Sequence, residues 1–223
     1  SGRNWVGHYF NFNQPSHQFT YNFPNIVTGS PAYLRSRVYG RYTSTSSYNY
    51  RVNGQSITSV NVGNITNAYL AIYAKSADAF QSFTPTGSNL NVEVNLQTLA
   101  FSCEGWLDYI EMNVRRNLQM NGGQQLIFRD AQSLGAGNIT EFRIGGYNGG
   151  TTVWDVTDPI NVKAQDVTIN GGLGSFTAAT DELKEFVAWQ SNGSFFNATP
   201  IGPVANQNLH ALPQQDMLIV THN

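Results

Sequence analysis

The chain has one cysteine, Cys103, among 223 residues. It cannot close a disulfide within itself, so cysteine usage points to neither an oxidising nor a reducing compartment. Charge is equally scarce. Asp, Glu, Lys and Arg make up 12% of the residues and leave a net charge of −2, which argues against partners held by charge, nucleic acid and anionic membrane among them. No apolar run approaches the roughly 20 residues of a spanning helix. The start lacks the charged stretch and apolar core of a signal peptide. Because it opens on Ser1 rather than methionine, the expectation is a processed or excised product whose export signal is already gone.

What remains is a polar, uncharged, aromatic chain. Hydrophobic residues reach 40% and aromatics 13%, enough to bury a core in one large or two small domains. Asn, Gln, Ser, Thr and Gly fill the rest. That mixture suits strands whose outer faces carry neutral hydrogen-bonding groups.

The longest periodic stretch is GWLDYIEMNVRRNLQM, residues 105–120. Trp106, Ile110, Met112, Val114, Leu118 and Met120 occupy even positions, and polar residues occupy most odd ones, the alternation of a half-buried strand. Leu107, Ile110, Val114 and Leu118 also share a helical stripe, but the strand matches more positions. It leaves Asp108 and Arg116 on the apolar face, about 26 Å apart at the strand rise and unable to pair.

Phe19, Tyr21 and Phe23 alternate before Pro24. In Tyr33 to Tyr42, Leu34 and Val38 share one face, and Tyr33, Arg35, Arg37, Tyr39 and Arg41 share the other. Asn53-Gly54 predicts a type I′ hairpin with Val52 opposite Gln55 and Tyr50 opposite Ile57. Further strands are expected at 68–74, 90–101, 125–129, 139–144, 151–157, 162–170, 174–178 and 185–189, with a glycine turn at 145–150 and a hairpin turn at Asp181 to Lys184. Many short strands without a useful amphipathic helix indicate an all-β antiparallel β-sandwich of jelly-roll type.

The end differs. Met217, Leu218, Ile219 and Val220 form a continuous apolar run, the mark of a strand covered on both faces, as in an α/β domain. The expected organisation is a β-sandwich region over 1–200, which a break near 145–150 would divide into two sub-domains. A linker at 201–215 follows, and then 216–223 as the first strand of an α/β domain absent from this chain.

Candidate chemistry is sparse. Cys103 with His8, His17, His210 or His222 would make a thiol dyad, but a lone cysteine beside a buried strand reads as core packing. The histidines show no metal-ligand spacing. Asp108, Glu111, Asp155 and Asp158 include no pair of fixed separation for glycoside hydrolysis, and Asp155, Thr157 and Asp158 look like turn residues. No calcium-loop spacing is present. No cofactor and no metal is expected. Asn64, Asn138, Asn192 and Asn197 open N-x-[ST] sequons of the kind chance supplies in such a chain. The one candidate ligand face is Tyr33, Arg35, Arg37, Tyr39 and Arg41, which would stack on sugars or bases or hold phosphate groups. A solvated outer strand face explains it too.

Several blocks, taken in order, resemble one family: SGRNWVGHYF (1–10), FTYNFPNIVTGSPAYLRSRV (19–38), GWLDYIEMNVRRNLQM (105–120), LIFRDAQSLGAGNITEF (126–142), VWDVTDP (153–159) and VANQNLHALPQQDMLIVTH (204–222). The chain is similar through nearly its whole length to the PorU-type sortases of the type IX secretion system, which belong to the gingipain-type cysteine peptidases. The resemblance implies a non-catalytic β region N-terminal to a gingipain-like α/β peptidase domain, with Met217 to Thr221 as that domain's first strand. It implies a location outside the outer membrane, where family members remove C-terminal secretion signals from exported cargo. The implied partners are the chain's own downstream peptidase domain, cargo C-terminal signal domains and an outer-membrane barrel. The family's catalytic histidine and cysteine would lie beyond Asn223, and Cys103 and His222 match neither. The rival reading is a carbohydrate-binding jelly roll, rich in Trp, Tyr, Asn and Gln. The exposure of Trp5, Trp106, Trp154 and Trp189 discriminates between them.

Overall fold

Ala32, Leu34, Ser36, Val38 and Gly40 point inward from a single strand, and Tyr33, Arg35, Arg37, Tyr39 and Arg41 point outward. This is the period of two that the sequence requires. The structure, a computed structural model, describes residues 5–69, 71–193, 195 and 199–203. Every ladder between its strands is antiparallel, and one isolated bridge, Gln119 to Gly145, is parallel.

Among the described residues eight strands build the first sandwich: β1 (Tyr9–Phe10), β2 (Ser16–Asn22), β3 (Ala32–Arg41), β4 (Ser46–Val52), β5 (Gln55–Val62), β6 (Lys75–Phe83), β7 (Asn89–Leu96) and β8 (Glu104–Asn113). One sheet has the order β1-β8-β3-β6 and the other β2-β7-β4-β5. Pairing β1 with β8, β2 with β7, β3 with β6 and β4 with β5 is a long hairpin wrapped on itself, the jelly roll expected from the sequence. Leu34 and Val38 from one sheet meet Tyr48, Tyr50, Leu90, Val92, Val94 and Leu96 from the other, all fully buried.

In the first sandwich the structure departs from the sequence expectations at three places. The described members of 68–74 lie in a loop and not in a strand, with Tyr69, Ile72 and Tyr73 exposed, because no neighbouring strand lies beside them to pair with or to cover both faces. The strand is β6, whose inward row of Ala77, Ala79, Gln81 and Phe83 is too small and mixed to stand out. Second, β8 ends at Asn113 and carries a bulge. Arg37 faces Tyr109 while Val38 faces Leu107, so Asp108 is the extra residue. Gly105 and Leu107 therefore point inward before the bulge, Ile110 and Met112 after it, and Trp106 lies on the outer face. Arg116 is not a core-facing strand residue, and its Nε donates to the Pro24 carbonyl at 2.7 Å. Third, Asn53 and Gly54 take φ of 50° and 81° and place Val52 opposite Gln55 as expected, but a register shift puts Tyr50 opposite Thr58.

Among the described residues seven strands build the second sandwich: β9 (Leu126–Phe128), β10 (Ile139–Gly145), β11 (Thr151–Asp155), β12 (Lys163–Ala164), β13 (Thr168–Asn170), β14 (Leu173–Ala179) and β15 (Phe186–Gln190). Sheets β10-β14-β13 and β12-β11-β15-β9 close on Phe128, Phe142, Phe176 and Phe186, whose neighbouring rings sit 5.0–5.9 Å apart. Asp181 to Lys184 is a turn, but it joins strands of different sheets and is not a hairpin. The hairpin turn is Gly171-Gly172, both at positive φ. The core divides between Val114, which packs on the first cluster, and Leu118, which packs on the second. Residues 145–150, read from the sequence as a break, are the corner where the chain changes sheet. Residues 204–223, which carry most of the expected linker and the whole of the expected α/β strand, lie outside the described residues.

Two buried tyrosines cross the first core. Tyr48 Oη donates to the Tyr39 carbonyl at 2.8 Å, and Tyr50 Oη donates at 3.1 Å to Ser36 Oγ, which donates to the Tyr109 carbonyl at 2.7 Å. A Cβ on Gly105 would collide with the Tyr48 hydroxyl and lie 3.1 Å from the Tyr39 carbonyl. Gly105→Ala is therefore expected to cost about 1–3 kcal/mol in urea unfolding, and Tyr48→Phe in the same chain should return part of that loss in a double-mutant cycle. Burial pushes the Tyr50 phenol up to about 12 and Tyr48 higher still, against about 10 in an unfolded chain. Both native phenols hold their protons where the unfolded chain sheds them. The contribution of these two phenols to stability should be level below pH about 10 and fall as pH rises toward 12. Tyr50→Phe should flatten that slope in urea midpoints measured against pH.

Candidate functional site

The expected ligand face exists as a surface, on β3 in the middle of its sheet. Each of its arginines is matched to an acid on a neighbouring strand. Arg37 grips Asp78 of β6 through two hydrogen bonds of 2.8 and 3.2 Å. Arg41 meets Glu104 of β8 at 2.8 Å, and Arg35 stands 3.9 Å from Glu111. The Arg37 hydrogen bond holds the Asp78 carboxyl below the usual carboxylate range. Arg35 and Arg37 lie 6.0 and 5.9 Å from the centre of the Tyr109 ring, and Tyr33 stacks on Phe80 at 6.0 Å. The face is a ladder of cross-strand pairs in register. Its positive charge is cancelled within the sheet.

At one end of that face lies a groove of about 580 Å³. Sequence reasoning missed it because its walls come from four loops distant in sequence. The β1–β2 loop gives Asn11, Phe12 and Asn13, and the β3–β4 loop gives Tyr42 and Thr43. Ile65 and Asn67 come from the β5–β6 loop, Phe101 and Ser102 from the β7–β8 loop. Tyr9, Arg41 and Glu104 complete it. Tyr9 Oη donates to one Glu104 oxygen at 2.7 Å and Arg41 to the other at 2.8 Å. That contact raises the Tyr9 phenol. Arg41 also lies 4.5 Å over the Tyr73 ring, which neighbours Trp106 at 6.1 Å.

The other candidates do not assemble. Cys103 is fully buried, and burial pushes its thiol up, the reverse of what a nucleophile needs. His8 and His17 contact each other and Phe19 or Phe10, and His17 Nε2 lies 2.8 Å from the Tyr9 carbonyl. His210, His222 and Asn197 lie outside the described residues. Asp108 and Glu111 belong to the first sandwich. Asp155 and Asp158 accept from the Thr157 and Ile160 backbone amides as turn residues. Among the described residues no group of three or more His, Cys, Asp or Glu could hold a metal ion, and no helix is long and apolar enough to cross a membrane. Asn64, Asn138 and Asn192 are exposed. Trp5 is 83% exposed and Trp154 38%, while Trp106 and Trp189 are half-buried, so stacking platforms do exist.

No protein-family model matches the sequence, and no curated protein matches it. Among solved structures, dimeric latent PorU from Porphyromonas gingivalis superposes over 94% of this chain with a TM-score of 0.75 at 20% identity. The two share one fold. The chain spans 20% of that protein's length. The carbohydrate-binding module CBM36 with calcium and xylotriose covers 51% of this chain at 13% identity and a TM-score of 0.35, the match taking in 85% of that module. A Paenibacillus cycloisomaltooligosaccharide glucanotransferase covers 78% at 8% identity and 0.27, with 40% of its own length matched. Neither of these two is close enough to bear on function.

The cancelled charge has a measurable consequence. The chain should pass through a heparin column at about 0.15 M salt, where unpaired surface charges act over only about 8 Å. Replacing Asp78, Glu104 and Glu111 together by their amides should produce retention, as it would free three arginines on one face.

Proposed function

We propose that this chain is the non-catalytic, β-rich N-terminal region of a PorU-like cell-surface cysteine endopeptidase, serving as scaffold or docking platform for a peptidase domain that follows it. The observation carrying this reading is the likeness to the PorU fold over 94% of this chain, set against only 20% of that protein's length. The ordered sequence blocks that resemble the PorU-type sortases support the same assignment. In this reading the protein works outside the outer membrane. Its peptidase domain processes C-terminal signals of exported cargo, and an outer-membrane barrel is a further partner.

The second sandwich supports a docking role. On the outside of sheet β12-β11-β15-β9, Trp154 pairs with Val187 and Val187 with Ile127, and the Trp154 and Trp189 rings lie 4.9 Å apart. Ile127 is 64% exposed, and Phe195 packs on Trp189 at 5.9 Å. The Trp189 indole N–H is buried without a partner among the described residues. An outer sheet face is normally polar, and an apolar one of this kind marks a contact surface. It adjoins Phe195.

Cys103 fits a packing role, since a thiol peptidase needs a thiolate beside an imidazole and an oxyanion hole. The purified 223-residue chain should therefore leave a cargo C-terminal peptide uncut, and Cys103→Ala should behave identically. Native Cys103 should resist a thiol reagent until urea unfolds the chain. Peptide turnover that disappears in Cys103→Ala would overturn the reading.

A further inference from the structure

The jelly-roll topology gathers four of its connections at one end. The loops β1–β2, β3–β4, β5–β6 and β7–β8 all open there, and each contributes to the groove. The second sandwich attaches at the other end. β8 runs ten residues from Glu104 to Asn113, about 30 Å at the strand rise. The chain then pairs with the β2–β3 loop through Val27 N to the Arg115 carbonyl at 2.8 Å and Asn117 N to the Asn25 carbonyl at 2.8 Å. The groove is thus left open by the rest of the described structure.

Its loops are fixed. Asn11 Oδ1 accepts from the Asn13 and Gln14 amides at 2.9 and 2.8 Å, setting the turn that carries Phe12. Cys103 N donates to the Ala100 carbonyl at 2.9 Å, closing the turn that carries Phe101, and Ile65 N donates to the Tyr42 carbonyl at 2.8 Å, tying two loops together. These turns present bare rings to water. Phe101 is 87% exposed and Phe12 49%, and neither serves the core. Single exposed apolar side chains are ordinary, but here two rings face one cavity whose remaining lining is Ile65, two tyrosines, side-chain amides and hydroxyls, and a closed ion pair.

We propose that this four-loop groove binds a neutral oligosaccharide, with the Phe12 and Phe101 rings stacking on sugar faces and Asn13, Asn67 and Thr43 meeting hydroxyl groups. The chemistry selects that class. A sugar has an apolar C–H face for an aromatic ring and hydroxyls for side-chain amides. The Arg41–Glu104 pair, held also by Tyr9, offers polar atoms without net charge, which disfavours a phosphate or sulfated ligand. An extended peptide recognised by main-chain pairing needs a strand edge, and the adjoining β1 has two residues. This inference stands apart from the assignment to a PorU-like protein, because it uses only the groove.

The test is calorimetric titration of the 223-residue chain with short neutral gluco-, manno-, galacto- and xylo-oligosaccharides, with heparin and an unstructured peptide as competing classes. Saturable binding to at least one neutral sugar is expected. Phe12→Ala and Phe101→Ala should each weaken it at least about fivefold with an unchanged melting temperature, since both rings lie outside the core. No binding by any neutral sugar in the panel, binding that survives both substitutions, or occupation of the groove by the peptide or heparin instead would overturn the proposal.

Discussion

The hydroxyl groups of Tyr48 and Tyr50 tie the two sheets of the first sandwich to each other in one register. Apolar burial alone is non-directional and would tolerate a slide of one sheet over the other. A phenol sealed in the core tolerates no such slide, because its O–H must meet an acceptor or cost about 1–3 kcal/mol. Tyr48 reaches the Tyr39 carbonyl only because Gly105 lacks a side chain. Tyr50 reaches Ser36, whose own hydroxyl goes on to the Tyr109 carbonyl, one residue past the bulge at Asp108. A glycine in a strand, a buried serine and a bulge look unrelated in the sequence. All three answer the same two phenols.

That inner constraint also sets the outer surface. The bulge shifts the inward row of β8 from odd to even positions, which turns Trp106 outward toward Tyr9 and Tyr73. It also aligns Arg35 with Glu111, Arg37 with Tyr109 and Arg41 with Glu104. Had the alternation run unbroken from Gly105 to Met120, Trp106 would be a core residue and the aromatic rim beside the groove would be lost. Packing inside the sandwich therefore decides which side chains border its open end.

Much of the architecture was legible in the sequence, because alternation is a local signal. β3, β4, β7 and β10 follow from their own residues, and Asn53-Gly54 fixes its turn through the positive φ those two residues accept. What escaped was set by distant partners. The strand β6 is recognisable only beside β3, since Ala77 and Ala79 fit under larger neighbours. The bulge at Asp108 is a relation between two strands. The Tyr33 to Arg41 face was visible as a stripe, but its acids, Asp78, Glu104 and Glu111, lie 41 to 76 positions away and cancel a charge that looked free. The groove was invisible for the same reason, as Phe12 and Phe101 are brought together only by the wrapped hairpin.

The contrast between the sheet face and the groove follows from how each is built. Strand side chains stand in fixed rows about 5 Å from their cross-strand neighbours, so arginines and carboxylates on a sheet satisfy one another, and a ligand would have to displace those contacts to gain its own. Loop tips have no such neighbours. Phe12 and Phe101 are held by backbone turns and leave their rings uncovered, so a ligand there displaces only water. A rigid sandwich that closes its own polar groups over its faces therefore concentrates open contact chemistry at the end where its loops converge, and a second sandwich attached at the opposite end leaves that chemistry free.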